Sequence, residues 1–208
     1  KEKIAQYKLK RNGRELRMGV GCAWMGEGEY HATAHKDSVA LLHKSYEEGF
    51  RYYDTSRTYN NSEVMVGQFI HEIDRSTIFL ATKSKYPYRE QGLEEAFEVF
   101  KRNFYESFDR LQTDHINLYQ VHDTANYDCC ERYVFPFLKA RKEEGLIDYI
   151  GFGMLPNHAH ALGIMTGNIE SALSFINYSL LKRSAEPLIK LAAEKGAAFI
   201  NASVLHFG

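Results

Sequence analysis

From Met18 onward the chain repeats one unit: a short apolar run, a polar loop, an amphipathic run of roughly 10 to 18 residues and, often, a glycine. Strands joined by helices in this way pair in parallel, because a parallel pair needs a crossover of about a dozen residues and a helix supplies it. The apolar runs are Met18 to Cys22, Arg51 to Thr55, Ile78 to Thr82, His115 to Val121, Ile147 to Phe152, Leu173 to Tyr178 and Ala197 to Ala202. Seven units in succession favour a (β/α)8 TIM barrel over an open doubly wound sheet. Such a barrel takes about 250 residues, and the 208 present stop at the seventh strand. The expectation is one α/β barrel domain over residues 1–208 that lacks its C-terminal strand and helices.

The helical runs carry their own signals. Val39, Leu42 and Tyr46 fall three and four apart after Ser38, and Gly49 ends that helix. Ser62 reads as an N-cap for a helix with Val66, Phe69 and Ile70 on one face. Leu93, Phe97, Phe100, Phe104, Phe108 and Leu111 make the clearest helix of the chain, whereas Pro136 predicts a kink or late start in the next one. Ahead of the first unit, Asn12-Gly13 between two partly apolar stretches predicts a β-hairpin.

Composition excludes several function classes. A net charge of -1 with acids and bases interspersed gives no one-sided basic field for nucleic acid or anionic membranes, so small molecules are the favoured partners. Cys22, Cys129 and Cys130 are odd in number and two are adjacent, which suits free thiols in a reducing cytoplasm better than a disulfide framework. No apolar run reaches the roughly 18 residues of a membrane span, and the N-terminus has no signal-peptide core. Oligomeric state is not legible.

Parallel barrels place their chemistry at the C-terminal ends of the strands. Asp54 closes the second strand, Lys83 the third and His122 the fourth, while Tyr59 lies in the loop after Asp54. In a partly desolvated site Asp54 would keep Lys83 charged, and that cation would favour the ionised form of a nearby Tyr59. A tyrosine so tuned can give a proton to a carbonyl oxygen or take one from an alcohol, and His122 can orient the same oxygen. The missing hydride has to come from a nicotinamide cofactor.

The stretch Gly49-Phe-Arg-Tyr-Tyr-Asp-Thr-Ser-Arg-Thr-Tyr-Asn-Asn-Ser-Glu63, followed by Val66-Gly67, resembles the aldo-keto reductase signature, in which an aspartate precedes a catalytic tyrosine by five positions. Ala81-Thr82-Lys83 resembles the strand that carries the family's lysine. Arg110 to Asp114, leading through Leu118 to Val121-His122-Asp123, resembles the segment that carries its histidine. The segments Ile150 to Met154, Ile176 to Leu181 and Ile200 to Gly208 look most like the sugar 1-dehydrogenase branch, which includes L-galactose and D-threo-aldose (L-fucose) dehydrogenases. The resemblance implies an NAD- or NADP-dependent oxidoreductase of carbohydrate metabolism, acting on an aldose or aldehyde, with Asp54, Tyr59, Lys83 and His122 as its tetrad.

It also implies a cofactor site at Gly21, Cys22, Asp54, Asn177, Ala202, Ser203, Val204 and Leu205, and a substrate pocket at Tyr59 and His122; Trp24, after the first strand, is placed either to wall that pocket or to pack in the core. Three departures stand out. Gly153-Met154 replaces the Ser-Asn that often holds the nicotinamide carboxamide, leaving that contact to Asn177. Ala202 replaces a stacking tyrosine. The segments that distinguish NADP from NAD would lie beyond residue 208.

Other features carry less. His158 and His160 have a spacing seen in metal sites but no third ligand, and read as solvated loop residues. The pairs Gly19/Gly21 and Gly151/Gly153 lack the strand-turn-helix context of a dinucleotide fingerprint. Two alternative functions remain open: a Schiff-base aldolase working through Lys83, and a truncated or non-catalytic reductase-like scaffold acting as a binding or regulatory subunit.

Overall fold

A computed structural model describes residues 9–11, 14–16, 18–26, 35–122, 127–154 and 156–205. Strands β1 (Leu9–Arg11) and β2 (Arg14–Leu16) pair antiparallel with Arg11 opposite Arg14, as a hairpin requires. The expected turn residues Asn12 and Gly13 lie outside the described residues.

The other strands are β3 (Val20–Gly21), β4 (Tyr52–Asp54), β5 (Phe79–Lys85), β6 (Ile116–His122), β7 (Ile147–Met154), β8 (Ser171–Phe175) and β9 (Ala198–Ala202). They form one seven-stranded parallel sheet in chain order. The helices between them are α1 (His35–Glu47), α2 (Ser62–His71), α3 (Tyr88–Gln91), α4 (Leu93–Leu111), α5 (Asp128–Glu131), α6 (Val134–Glu143), α7 (Asn157–Met165) and α8 (Glu186–Lys195). Among the described residues, seven parallel strands alternate with helices, as in a (β/α)8 barrel. Pro136 lies in the first turn of α6, so the helix starts late, after the short α5.

The chain divides into two compact units, one of residues 2–84 with 103–117, the other of residues 85–102 with 118–208. In the first, register fixes the faces. Gly21 pairs with Asp54, and Asp54 with Ala81, so Asp54, Ala81 and Lys83 share one face. Tyr53 points the other way, onto Phe69 of α2, with ring centroids 5.0 Å apart. Gly67 lets α2 approach α4, since a Cβ there would stand 2.6 Å from the carbonyl oxygen of Arg110. Ser62 is the first residue of α2 and not its cap. Its hydroxyl donates to the Cys22 carbonyl at 2.8 Å and so ties the helix start to the end of β3.

In the second unit, Gly151 brings β7 close to β8, for a Cβ would lie 2.9 Å from the Ser171 carbonyl oxygen. Phe135 of α6 packs on Phe152 of β7 at 5.6 Å between centroids. Two expectations are corrected here. The strand foreseen at Leu173 to Tyr178 runs from Ser171 to Phe175, in register with Ala198 to Ala202, and stops because Ile176 turns to φ 51°. His158 and His160 lie on α7, not in a loop; His158 is exposed, and the buried His160 meets the edge of Phe152 at 6.0 Å.

Candidate active site

The strand ends of the first unit gather three of the expected residues. Asp54 closes β4, and Lys83 stands two residues before the end of β5, slightly deeper than expected. The Lys83 side chain is 1% exposed. Its ammonium donates to the Asp54 carboxylate and, at 2.9 Å, to the Thr55 carbonyl. Tyr59 completes the group: the Lys83 nitrogen stands 4.8 Å from the centre of its ring and hydrogen-bonds to its side chain.

Electrostatics follow from that geometry. Burial alone would drive the lysine towards its neutral form, but Asp54 and Tyr59 outweigh it and hold Lys83 above its ordinary value. A cation therefore sits beside the phenol of Tyr59. Cys22 is adjacent, its amide donating to the Asp54 carbonyl at 2.9 Å. Its thiol is pushed up to about 12, first by burial and then by Asp54, against the opposing pull of Lys83. It is a packing group and not a nucleophile.

The loop that carries Tyr59 is held from behind. The Arg57 amide donates to the Lys83 carbonyl at 2.9 Å, and its guanidinium reaches Glu106 of α4 at 2.9 Å. The carbonyl of Asn60 accepts from Arg110, also on α4. Arg110 in turn pairs with Glu63, whose side chain is fully buried. Neither Glu106, Arg110 nor Glu63 was singled out as a site residue in the sequence, although Glu63 and Arg110 each lie in a stretch that resembles the family pattern.

The remaining expected residues are distributed as follows. His122 ends β6 and is partly exposed. Trp24 lies in a turn after β3 and is 44% exposed. Gly21 is open, since a Cβ built on it would meet nothing within 4 Å, and a flat group has room to approach the strand end beside Asp54. Asn177 is buried in the loop after β8. Its Nδ2 donates to Ser174 at 3.1 Å and its Oδ1 accepts from Ser184 at 3.2 Å, so this amide shapes its own loop as well as offering any contact outward. Ala202 ends β9, Ser203 turns the chain with φ 54°, and Val204 and Leu205 are exposed.

Among the described residues no cluster of three or more His, Cys, Asp or Glu could hold a metal ion. No helix among them is long and apolar enough to cross a membrane.

Comparison with known proteins adds a sequence relationship over most of the chain. Residues 17–208 match the model of the aldo/keto reductase family. The chain is 28% identical over 206 residues to L-galactose dehydrogenase of Arabidopsis thaliana, covering 92% of this chain and 62% of that protein. It is 24% identical over 225 residues to D-threo-aldose 1-dehydrogenase of a Pseudomonas species, covering 92% and 66%. It thus spans less than two thirds of the length of either relative. Among solved structures, an aldo-keto reductase from Bacillus halodurans, in its holo form, superposes with a TM-score of 0.74 at 25% identity, over 93% of this chain and 64% of that one.

Proposed function

Because the chain belongs to the aldo/keto reductase family, we propose that it serves a reversible hydride transfer between a nicotinamide cofactor and the carbonyl or hemiacetal carbon of an aldose or aldehyde. The observation that carries this is the buried, charged Lys83 set between Asp54 and Tyr59.

NAD or NADP, when bound, supplies or accepts the hydride. The protein's own part is proton transfer and positioning. In the oxidising direction Tyr59 accepts the proton of the sugar hydroxyl at its phenolic oxygen; in the reducing direction it returns that proton to the carbonyl oxygen. Lys83 steadies the phenolate, and Asp54 keeps Lys83 charged. His122 takes its role, a hydrogen bond to the same substrate oxygen, from its place in the family pattern. Trp24 supplies an aromatic wall for the sugar. Gly21, Cys22 and Asp54 would receive the nicotinamide end, Asn177 its carboxamide, and the backbone from Ala202 through Ser203 and Val204 to Leu205 the pyrophosphate. The open space over Gly21 fits that assignment.

The relatives point to sugar oxidation at C1 as the preferred direction, one being named for L-galactose and the other for D-threo-aldoses. The Schiff-base alternative fares poorly, because an amine held protonated and paired is a weak nucleophile.

The proposal is tested by titrating NADH and NADPH against the fluorescence of Trp24, the sole tryptophan, followed by a panel of aldoses read by cofactor absorbance. Quenching by one cofactor and its turnover with an aldose are expected. Binding of neither would overturn the proposal and leave the non-catalytic scaffold.

A further inference from the structure

We propose that Arg110 and Glu63 are positioning residues that hold Tyr59 against Lys83. The inference rests on Tyr59 being the proton-transfer residue.

Tyr59 belongs to the link between β4 and α2, and both ends of that link are fastened to one face of α4. Near its start, Arg57 donates from Nε to Glu106 at 2.9 Å. Near its end, the carbonyl of Asn60, the residue next to Tyr59, accepts from Nη2 of Arg110. Glu106 and Arg110 are four residues apart on the helix, so the two anchors project from the same side. Asn60 itself holds φ 44°. Asparagine adopts that left-handed conformation more readily than most other residues, and the contact to Arg110 fixes it in place.

The second arm of Arg110 explains what the anchor is for. Its Nε donates to Glu63 at 3.1 Å, and the other carboxylate oxygen of Glu63 accepts from the Thr82 hydroxyl at 2.7 Å. Thr82 immediately precedes Lys83. An unbroken chain of hydrogen bonds, Asn60 to Arg110 to Glu63 to Thr82, therefore begins one residue beyond the tyrosine and ends one residue before the lysine.

A fully buried carboxylate is costly to keep, and a well-packed apolar side chain would often serve stability as well. What an apolar residue could not do is take two directed donors and so set the loop against the strand. The planar guanidinium is suited to the same role, since it offers Nε and Nη2 at fixed angles to two different acceptors, which an ammonium cannot reproduce.

The test uses R110A and R110K in the full chain, each compared with wild type for aldose turnover, for KM of the nicotinamide cofactor and for amide hydrogen exchange. Positioning predicts that kcat falls by about 10²-fold, the cost of a small misplacement at a reacting group. KM for the cofactor should stay near its wild-type value, and exchange should quicken at residues 56–61 before the rest. Guanidinium ion added to R110A should restore part of the rate. R110K, which keeps the charge without the fork, should remain slow, and it carries the same measurements if R110A does not fold. Wild-type kcat with wild-type exchange at 56–61 in a folded variant would overturn the inference. Should the wild-type protein turn over no aldose with either cofactor, the functional proposal alone fails, and hydrogen exchange still decides whether Arg110 holds the Tyr59 loop.

Discussion

Asp54 and Lys83 form an ion pair across neighbouring strands that is two residues out of register: Asp54 pairs with Ala81, and Lys83, next on the same face, reaches back to its carboxylate. The lysine is almost fully enclosed, whereas the carboxylate keeps an 11% opening. Removing one partner of such a pair strands the other. Asp54→Asn should destabilise the protein by about 3–5 kcal/mol at neutral pH, measurable by urea unfolding. A change below about 1 kcal/mol, the size typical of an exposed pair, would show that the enclosure is not maintained in solution.

Tyr59→Phe leaves this pair untouched and removes only the hydroxyl. Turnover should drop by about 10²-fold or more, as the loss of a general acid-base group implies, while cofactor quenching of Trp24 persists. Turnover close to wild type would remove Tyr59 from the chemistry.

Lys83→Met acts on the pH profile. Tyr59 is among the groups that hold Lys83 protonated, and such coupling is reciprocal, so the cation favours the ionised tyrosine. Without it, the rate limb governed by Tyr59 should move to higher pH. An unmoved limb, in a variant with measurable turnover, would mean that the two groups titrate independently.

Glu63 offers a pH test of folding. Burial raises its pKa, with Thr82, Ser107 and Arg110 pulling the other way. Between the unfolded and folded values the folded state thus holds a proton that the unfolded state has released, and its contribution is complete below the ordinary glutamate pKa of about 4.3. That contribution fades as pH rises through the higher folded value. Relative to Glu63→Gln, the wild-type protein should lose stability as pH rises through that window. A parallel pair of stability curves would indicate that the carboxylate is solvated.

Gly67→Ala probes the approach of α2 to α4. The added methyl would meet the backbone of Arg110 at 2.6 Å, where no flexible side chain can yield. A loss of about 1–3 kcal/mol is expected from such overpacking, read as a lower urea midpoint. An unchanged midpoint would mean that the two helices can separate freely.

The barrel was legible because two periodicities alternate along the chain, and α4 falls where Leu93 to Leu111 placed it. Boundaries were less so where polar residues occupy a strand. Ser171 and Ser174 are buried in β8, and their polarity hid its start, while its register is fixed by pairing with both β7 and β9. Asp54 and Lys83 could be brought together from strand ends alone, since strand pairing converts sequence position into proximity. Glu63 and Arg110 could not, because their contact spans 47 residues and joins two helices whose rotation no local pattern reveals. His160 misled for a related reason, being the inward-facing member of a helical pair that read as loop.

The burial of Cys22 has a practical side. Of the three cysteines, Cys22 and Cys130 are enclosed, and Cys129 is the one partly exposed. A thiol-reactive dye added to the folded protein should therefore couple at Cys129 first, giving a reporter on α5 with the native sequence intact and the thiol beside Asp54 left alone.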